Sequence, residues 1–340
     1  MDTKVLQRFR EQLHSHRHNL IDWLKGTPPE KKQINFGPLS ENDVQSRIDK
    51  FDDALAKADQ NKLGLCEVCH EYIETDRLEM DFTACVCLDH YSEEQKRGLE
   101  QELELSHKVH KALLPKELPK IPGMEVAAFS RPAELVGGDY FDFFTFRDGT
   151  YGFAIADVMG KGLPASMLMA SLQASLRILF PENNSPAQVI GRLNSLFCHN
   201  IRLIRFITIV LGRYNPETGI LVYANAGHNP PFLFRGATDR SVIKLRPTGA
   251  AIGLTESSTF EEAQVQLQKG DSLLLYTDGA TEAGDPGIDE FGEERLEEWM
   301  VKHAQLPPKA LIKELWRALR TFTRSNVLRD DLTLIAAKLT

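Results

Sequence analysis

Cysteine is scarce in this 340-residue chain: there are five, and four of them fall within positions 66–87. Such scarcity excludes a disulfide-built secreted domain, and the crowding of four into one short segment points to metal binding instead. A basic excess is also missing. Forty Lys and Arg face 48 Asp and Glu, a net charge of -8, so no footprint for nucleic acid is present. Lys31–Lys32 is too short to make a basic patch. No run approaches the ~18 apolar residues that span a bilayer. The charged start MDTKVLQRFREQLHSHRHNL lacks the apolar core of an export signal, so no membrane is expected and the cytoplasm is the expected compartment. Repeats and low-complexity tracts are absent as well.

What is present divides into segments, and the length suits about two domains. Residues 3–24 carry Leu6, Phe9, Leu13, Leu20, Ile21 and Leu24 at mostly helical spacing. A Pro/Gly-punctuated break follows, KGTPPEKKQINFGPLS. A second helix starts after Ser40, with Val44, Ile48, Phe51 and Leu55 on one stripe. Residues 1–63 therefore read as a helical hairpin, and 64–91 as a cysteine-bearing module. Residues 92–114 form a charged connecting helix with Leu99, Leu103, Val109 and Leu113 as a partial stripe, suited to pairing with a partner. Three prolines in PKELPKIPG (115–123) stop it and mark the expected domain boundary. From 124 onward short β-type runs such as MEVAAFS, DYFDFFTF, YGFAIADV, FITIVLGRYN and DSLLLYTDG mix with a few helical stretches. Consecutive hairpins with few helices mean an α+β class with antiparallel sheet over 115–340, not alternating βαβ units.

The cysteine module has the spacing Cys66-x2-Cys69, seventeen residues, Cys87-x2-His90. Two short knuckles can supply four tetrahedral S/N ligands, and a closed set of four favours structural Zn²⁺ over catalytic zinc. Cys85 competes with Cys87, but Cys85-x-Cys87 makes a poorer knuckle, so Cys85 is read as a neighbour. The stretch GLCEVCHEYIETDRLEMDF…CVCLDH resembles a DksA/TraR-type zinc finger, with His90 where that family more often has Cys. The preceding hairpin fits the same layout. This resemblance implies RNA polymerase as a partner, although the hairpin tip here carries Glu30, Lys31 and Lys32 and lacks the family's acidic motif.

Four aspartates stand at strand ends: Asp139 beginning DYFDFFTF, Asp157 closing YGFAIADV, Asp278 closing SLLLYTDG, and Asp330 beside Asp331 opening DLTLIAAK. RDGT (147–150) signals a hairpin turn. The numbers 139 and 157 are equidistant from 148, so both aspartates lie at the hairpin's open end. An ideal two-residue turn would put them on opposite faces, so an odd loop or a bulge is expected. If the strands ending at Asp278 and starting at Asp330 are antiparallel neighbours, those two carboxylates share a sheet edge. Four converging carboxylates repel unless a hard cation such as Mg²⁺ or Mn²⁺ joins them. Gly137 and Gly138 permit close backbone approach. Gly160 and Lys161 lead into a helix whose N-terminus can face an anion. Asp142, three residues from Asp139, points to the other face and is read as structural or supporting.

LLPKELPKIPGMEVAAFSRPAELVGGDYFDFF, FAIADVMGKGLPASMLMA, YANAGHNPPFL, GAAIGL, LLLYTDGATEA and RDDLTLIAAK together resemble the SpoIIE/RsbU-type branch of the PPM (PP2C-like) serine/threonine phosphatases, over roughly residues 112–340. The resemblance implies an αββα sandwich, two antiparallel sheets flanked by helices, with two Mn²⁺ or Mg²⁺ ions at one end. It implies that Asp139, Asp157, the Val158 carbonyl, Asp278 and Asp330 bind or surround the metals, with Asp157 bridging. Gly138, Gly160, Lys161 and Asp331 are phosphate-facing or supporting candidates. The reaction implied is attack of a metal-activated water on phosphoserine or phosphothreonine. Met159 stands where many relatives have a histidine acid, leaving either metal-bound water or Lys161 to protonate the leaving group. The substrate implied is a phosphorylated STAS-type anti-sigma-factor antagonist in a partner-switching pathway. The N-terminal module then regulates or docks, and helix 92–114 supports a homodimer. An alternative is a zinc-finger transcription cofactor that binds RNA polymerase and uses the phosphatase domain as a binding module. His228 is read as a turn-organising loop residue, Cys198 as a core residue of helix 186–201, and Met159, Met167 and Met169 as packing a helix on a sheet.

Overall fold

The computed structural model describes the chain except residues 1–6, 8–9, 12, 16, 19, 22–24, 26–40, 61, 75–76, 79–80, 82, 184, 201–205, 237–239, 286–288 and 325–327; residues 41–43 and 200 are described in backbone only. Two compact units result, 1–102 and 103–340.

In the first unit the described residues among 7–25 are helical, and α1 spans Glu41–Asp59. The break and tip expected at 26–40 lie outside the described residues. Val44, Ile48, Phe51 and Leu55 are buried, as their i, i+4, i+7, i+11 spacing requires. Phe51 and Leu55 pack with Leu13, Leu63, Ile73, Leu78, Cys66 and Cys87. Helix α2 (Glu93–Leu113) opens on a capping box: Ser92 Oγ accepts the Gln95 N–H at 3.2 Å, and Gln95 Oε1 accepts the Ser92 N–H at 3.0 Å. The division between units falls inside this helix. Its last turns belong with the second unit because His110 is buried there and Leu113 packs on that unit's core.

The second unit is a sandwich. One five-stranded antiparallel sheet joins β2 (Tyr140–Thr145), β3 (Tyr151–Val158), β4 (Ile207–Asn215), β5 (Ile220–Ala226) and β8 (Ala263–Gln266) in that order. The other runs β1 (Met124–Arg131), β12 (Leu332–Leu339), β9 (Ser272–Tyr276), β6 (Phe232–Phe234), β7 (Val242–Lys244). A two-residue ribbon pairs β10 (Gly284–Asp285) with β11 (Asp289–Glu290). Alternation along the strands separates three cores. Phe141, Ile155, Val210, Leu273, Leu275 and Ile335 form the inter-sheet layer. Tyr140, Phe144, Ala154 and Ala156 point the other way, onto α3 (Gly162–Glu182) and α4 (Pro186–Asn200). Leu274, Tyr276 and Leu334 cover α5 (Gly292–His303) and α6 (Pro308–Thr323). Each layer fills with fully buried side chains such as Leu172, whose truncation to Ala costs about 2–5 kcal/mol.

The hairpin β2–β3 has the odd loop its aspartates require. Tyr140 pairs with Ala156 and Thr145 with Tyr151, while the Phe146 N–H reaches the Thr150 carbonyl at 3.0 Å. Arg147, Asp148 and Gly149 make a three-residue loop, with Gly149 at φ +81° where a side chain would be strained. The register therefore places position 139 opposite 157, with both on the inter-sheet face.

Three expectations need correction. Met169 is buried in the α3 core, but Met167 is 65% exposed, because α3 is apolar on nearly every side and its pattern does not say which face packs. Cys198 is only half-buried and donates to Asn194 Oδ1 at 3.6 Å, since Leu193, Asn194 and Phe197 take the inner face of α4. Finally, α3 is long and apolar enough to cross a membrane by length and composition. Its Leu172, Leu176 and Phe180 are instead built into the sandwich core, and its Arg177 pairs with a buried aspartate.

Candidate active site and metal centres

The four aspartates meet at one end of the sandwich. Asp139, at the mouth of β2, is buried and accepts a hydrogen bond from Thr277 Oγ1 at 2.8 Å. Thr277 belongs to the opposite sheet and faces inward because it follows Tyr276 in the alternation. Its hydroxyl also accepts the Thr333 N–H at 2.9 Å, locking β9 to β12 beside the acid. Those strands are antiparallel neighbours, Tyr276 pairing with Leu334, so the acids that end one and begin the other share an edge. Asp278 opens a single 3-10 turn there (Asp278–Ala280).

Electrostatics tie the cluster together. Burial, then the nearby charges of Asp278, Asp330, Asp331 and Glu282, push Asp157 up to about 8. Burial with Glu282 and Asp330 raises Asp278 to about 6. Burial with Asp157 and Asp331 holds Asp139 well above the usual carboxylate range. Lys161, at the N-cap of α3, is 2.9 Å from Asp330 Oδ2 and donates to the Arg329 carbonyl, an ion pair that offsets part of this repulsion. Carboxylates crowded this way fit divalent cations with oxygen ligands, which remove the repulsion that protons otherwise relieve.

The neighbours divide by role. Asp331 turns away from its neighbour Asp330 and is buried: Oδ1 accepts the Ala133 N–H at 2.8 Å and Oδ2 the Gly138 N–H at 2.7 Å. A Cβ on Gly138 would lie 2.6 Å from the Val158 carbonyl, so this glycine lets the 139 strand pass that carbonyl. Gly160, at φ +112°, turns the chain between β3 and α3. Asp142 is fully buried on the helix side, where Tyr140 Oη donates to it at 2.6 Å and the Arg177 guanidinium grips it at 2.6 Å. His228 is also buried, with Nδ1 2.7 Å from Thr208 Oγ1 and its N–H on Asn225 Oδ1 at 2.9 Å; burial lowers it to about 4, so it stays neutral and organises its turn.

Thr277, Glu282 and Arg177 were not singled out from sequence. Glu282 had a signal: in TDGATEA it lies four residues after Asp278, and its N–H bonds the Asp278 carbonyl at 2.7 Å. It is raised by burial, then by Asp330 and Glu290. With Asp285, Arg329 and Asp330 it lines a cavity of about 370 Å³ beside the cluster.

In the first unit Cys66, Cys69, Cys87 and His90 have donor atoms within 4.8 Å of one another. Cys69 and Cys87 Sγ are 3.8 Å apart and Cys66 Sγ is 3.9 Å from His90 Nδ1. Four ligands ~2.3 Å from one tetrahedral ion sit roughly 3.7 Å apart; with Cys87 Sγ 3.0 Å from His90 Nδ1 the set is tighter on that side, and its soft donors make it a candidate site for an ion such as zinc. Burial raises Cys66, but N–H groups of Cys69, Cys87 and Val68 outweigh it and bring the thiol down to about 6. Burial and the crowding by Cys66 and Cys69 push Cys87 up to about 11.

Comparison with known proteins matches this architecture. Residues 147–340 match the family model of stage II sporulation protein E (SpoIIE). The chain is 31% identical over 254 residues to the phosphoserine phosphatase RsbU of Bacillus subtilis (strain 168), covering 73% of this chain and 74% of that protein. Among solved structures, the SiaA-PP2C domain of Pseudomonas aeruginosa aligns with TM-score 0.64 at 20% identity, over 72% of this chain and 99% of that one. The RsbU and RsbW domains of Rv1364c from Mycobacterium tuberculosis align with TM-score 0.57 at 27% identity, over 66% of this chain and 62% of that one. Two antiparallel sheets flanked by helices, acids gathered at one end and these matches lead to one conclusion: the chain belongs to the SpoIIE family of PP2C-type serine/threonine phosphatases.

Proposed function

We propose that the chain hydrolyses phosphoserine or phosphothreonine in a protein substrate, using Mn²⁺ or Mg²⁺ ions held by Asp139, Asp157, the Val158 carbonyl, Asp278 and Asp330. The observation that carries the reading is the β2–β3 register, which sets position 139 opposite 157 at the end of the sandwich where Asp278 and Asp330 also lie. When bound, such ions lower the pKa of a water and offset charge on phosphoryl oxygens. The chain's own residues do the rest. Thr277 and the Asp331-anchored loop fix Asp139, and Lys161 holds Asp330 while presenting a cation near the N-terminus of α3. Lys161 or solvent then supplies the leaving-group proton.

The similarity to a phosphoserine phosphatase supports a phosphoserine protein as substrate; the sequence motifs' resemblance makes a phosphorylated STAS-type antagonist in a cytoplasmic partner-switching pathway our reading of which one. Cys66, Cys69, Cys87 and His90 hold a structural Zn²⁺, and the first unit is a regulatory module. Exposed Leu99, Leu103, Leu105 and Val109 on α2 suit a homodimer. The test is Mn²⁺-dependent phosphate release from a phosphoserine protein, with Asp157→Asn and Asp278→Asn as controls. No release with any divalent metal would leave the domain as a binding module.

A further inference from the structure

Two histidines one turn apart on α2 reach the same short loop. His107 Nδ1 is 2.8 Å from the Leu135 carbonyl. His110 is buried, with Nε2 3.2 Å from the Gly137 carbonyl and 3.3 Å from the Gly137 nitrogen. One tautomer donates to that carbonyl and the other accepts the N–H, so the ring serves a buried backbone group either way. Asp331 grips the same loop at Ala133 and Gly138. There is no slack between the two grips. A Cβ on Gly137 would lie 2.1 Å from Asp331 Oδ2. Asp139 follows directly on this loop, and a ligand carboxylate must be held within about 0.5 Å of its working place.

We infer that His110, assisted by His107, is a positioning residue for the metal site: it clamps the loop 132–138 to α2, so that the placement of α2 sets where Asp139 stands. Neither histidine contacts the aspartates in the hydrogen-bond network above. Their effect passes through the loop backbone. The inference rests on the metal-dependent reading, and it assigns α2 a direct route to metal affinity.

The test is Mn²⁺ binding to the full-length protein without substrate, followed by water-proton relaxation, alongside thermal melting. His110→Ala weakens Mn²⁺ binding about tenfold, in the range found when supporting partners of metal ligands are removed. His110→Gln, which can still donate or accept, restores most of it. His107→Ala, at a half-buried site, weakens binding about threefold. Leu315→Ala, in the α6 core, lowers Tm while leaving Mn²⁺ affinity unchanged, which separates positioning from general loosening. Wild-type affinity in His110→Ala overturns the clamp. If His110→Ala fails to fold, His107→Ala decides, and unchanged affinity there overturns it equally. Absence of Mn²⁺ binding in the wild-type protein overturns the clamp together with the metal reading, a result distinct from normal binding in every variant.

Discussion

The two candidate metal centres are opposites in construction. The Cys/His set comes from 25 consecutive residues, and its knuckles need only local turns. The aspartate set spans positions 139 to 330 and exists only when two sheets are stacked in register. One offers soft ligands in a closed set of four, suited to holding a fold together. The other offers hard carboxylates beside a cavity of about 370 Å³. Local ligands make a centre that stabilises its own neighbourhood. Distant ligands make a centre whose geometry answers to movement in any element that carries it.

Breaking each centre separately tests this contrast most directly. Asp157→Asn should cut phosphate release at least about 10³-fold at saturating Mn²⁺, about 4 kcal/mol in the barrier, while zinc content stays at wild type. An activity loss under tenfold would remove Asp157 from the centre of the chemistry. Cys66→Ser should do the reverse. Zinc is lost and the first unit melts early, since structural zinc sites contribute folding energy outright. Hydrolysis of p-nitrophenyl phosphate should stay within about twofold. A collapse of that small-ester activity would show that the two centres are not separable.

Legibility followed the same division. The Cys/His cluster could be read from spacing alone, and its four donor atoms do converge. The aspartates needed one further step, the counting of positions across a hairpin, and its demand for an odd loop is met by Arg147-Asp148-Gly149. The same count left Asp142 on the helix side, where Arg177 neutralises it. Thr277 escaped notice because a lone hydroxyl acquires meaning only once β9 lies against β12 and opposite Asp139. His107 and His110 escaped for the same reason: helical periodicity does not reveal a loop 28 residues away. Strands of two to four residues such as β7, β8, β10 and β11 carry too few side chains to show a period of two.

A pH series sharpens the comparison with a smaller effect. Asp157 and Asp278, raised to about 8 and about 6 chiefly by burial and then by their acidic neighbours, bind protons more tightly folded than unfolded. Such groups stabilise the fold at low pH, and that stability is lost as pH rises through the folded values. Protein retaining zinc but without Mn²⁺ should therefore lose about 5 °C or more of Tm between pH 5 and 8.5. Saturating Mn²⁺ should flatten that slope, because the cation replaces the protons. A Tm that holds or rises with pH in the Mn²⁺-free protein would mean that the carboxylates are not crowded as described.

The smallest expected effect discriminates within the sulfur centre. Cys85 lies two residues before Cys87 and is half-buried, yet its thiol is not among the four donors that converge. It faces Glu67 instead: the Cys85 carbonyl accepts the Glu67 N–H at 2.8 Å, a bond indifferent to the side chain, and its thiol meets the Glu67 carboxylate, a contact a serine hydroxyl can keep. Cys85→Ser should keep a full equivalent of zinc and shift stability by no more than about 0.5 kcal/mol, the range of substitutions away from buried or liganding sites. Cys87→Ser, in contrast, should lose the metal. Reversed zinc contents in these two variants would make Cys85 the ligand and would replace the Cys87-x2-His90 knuckle with a wider one.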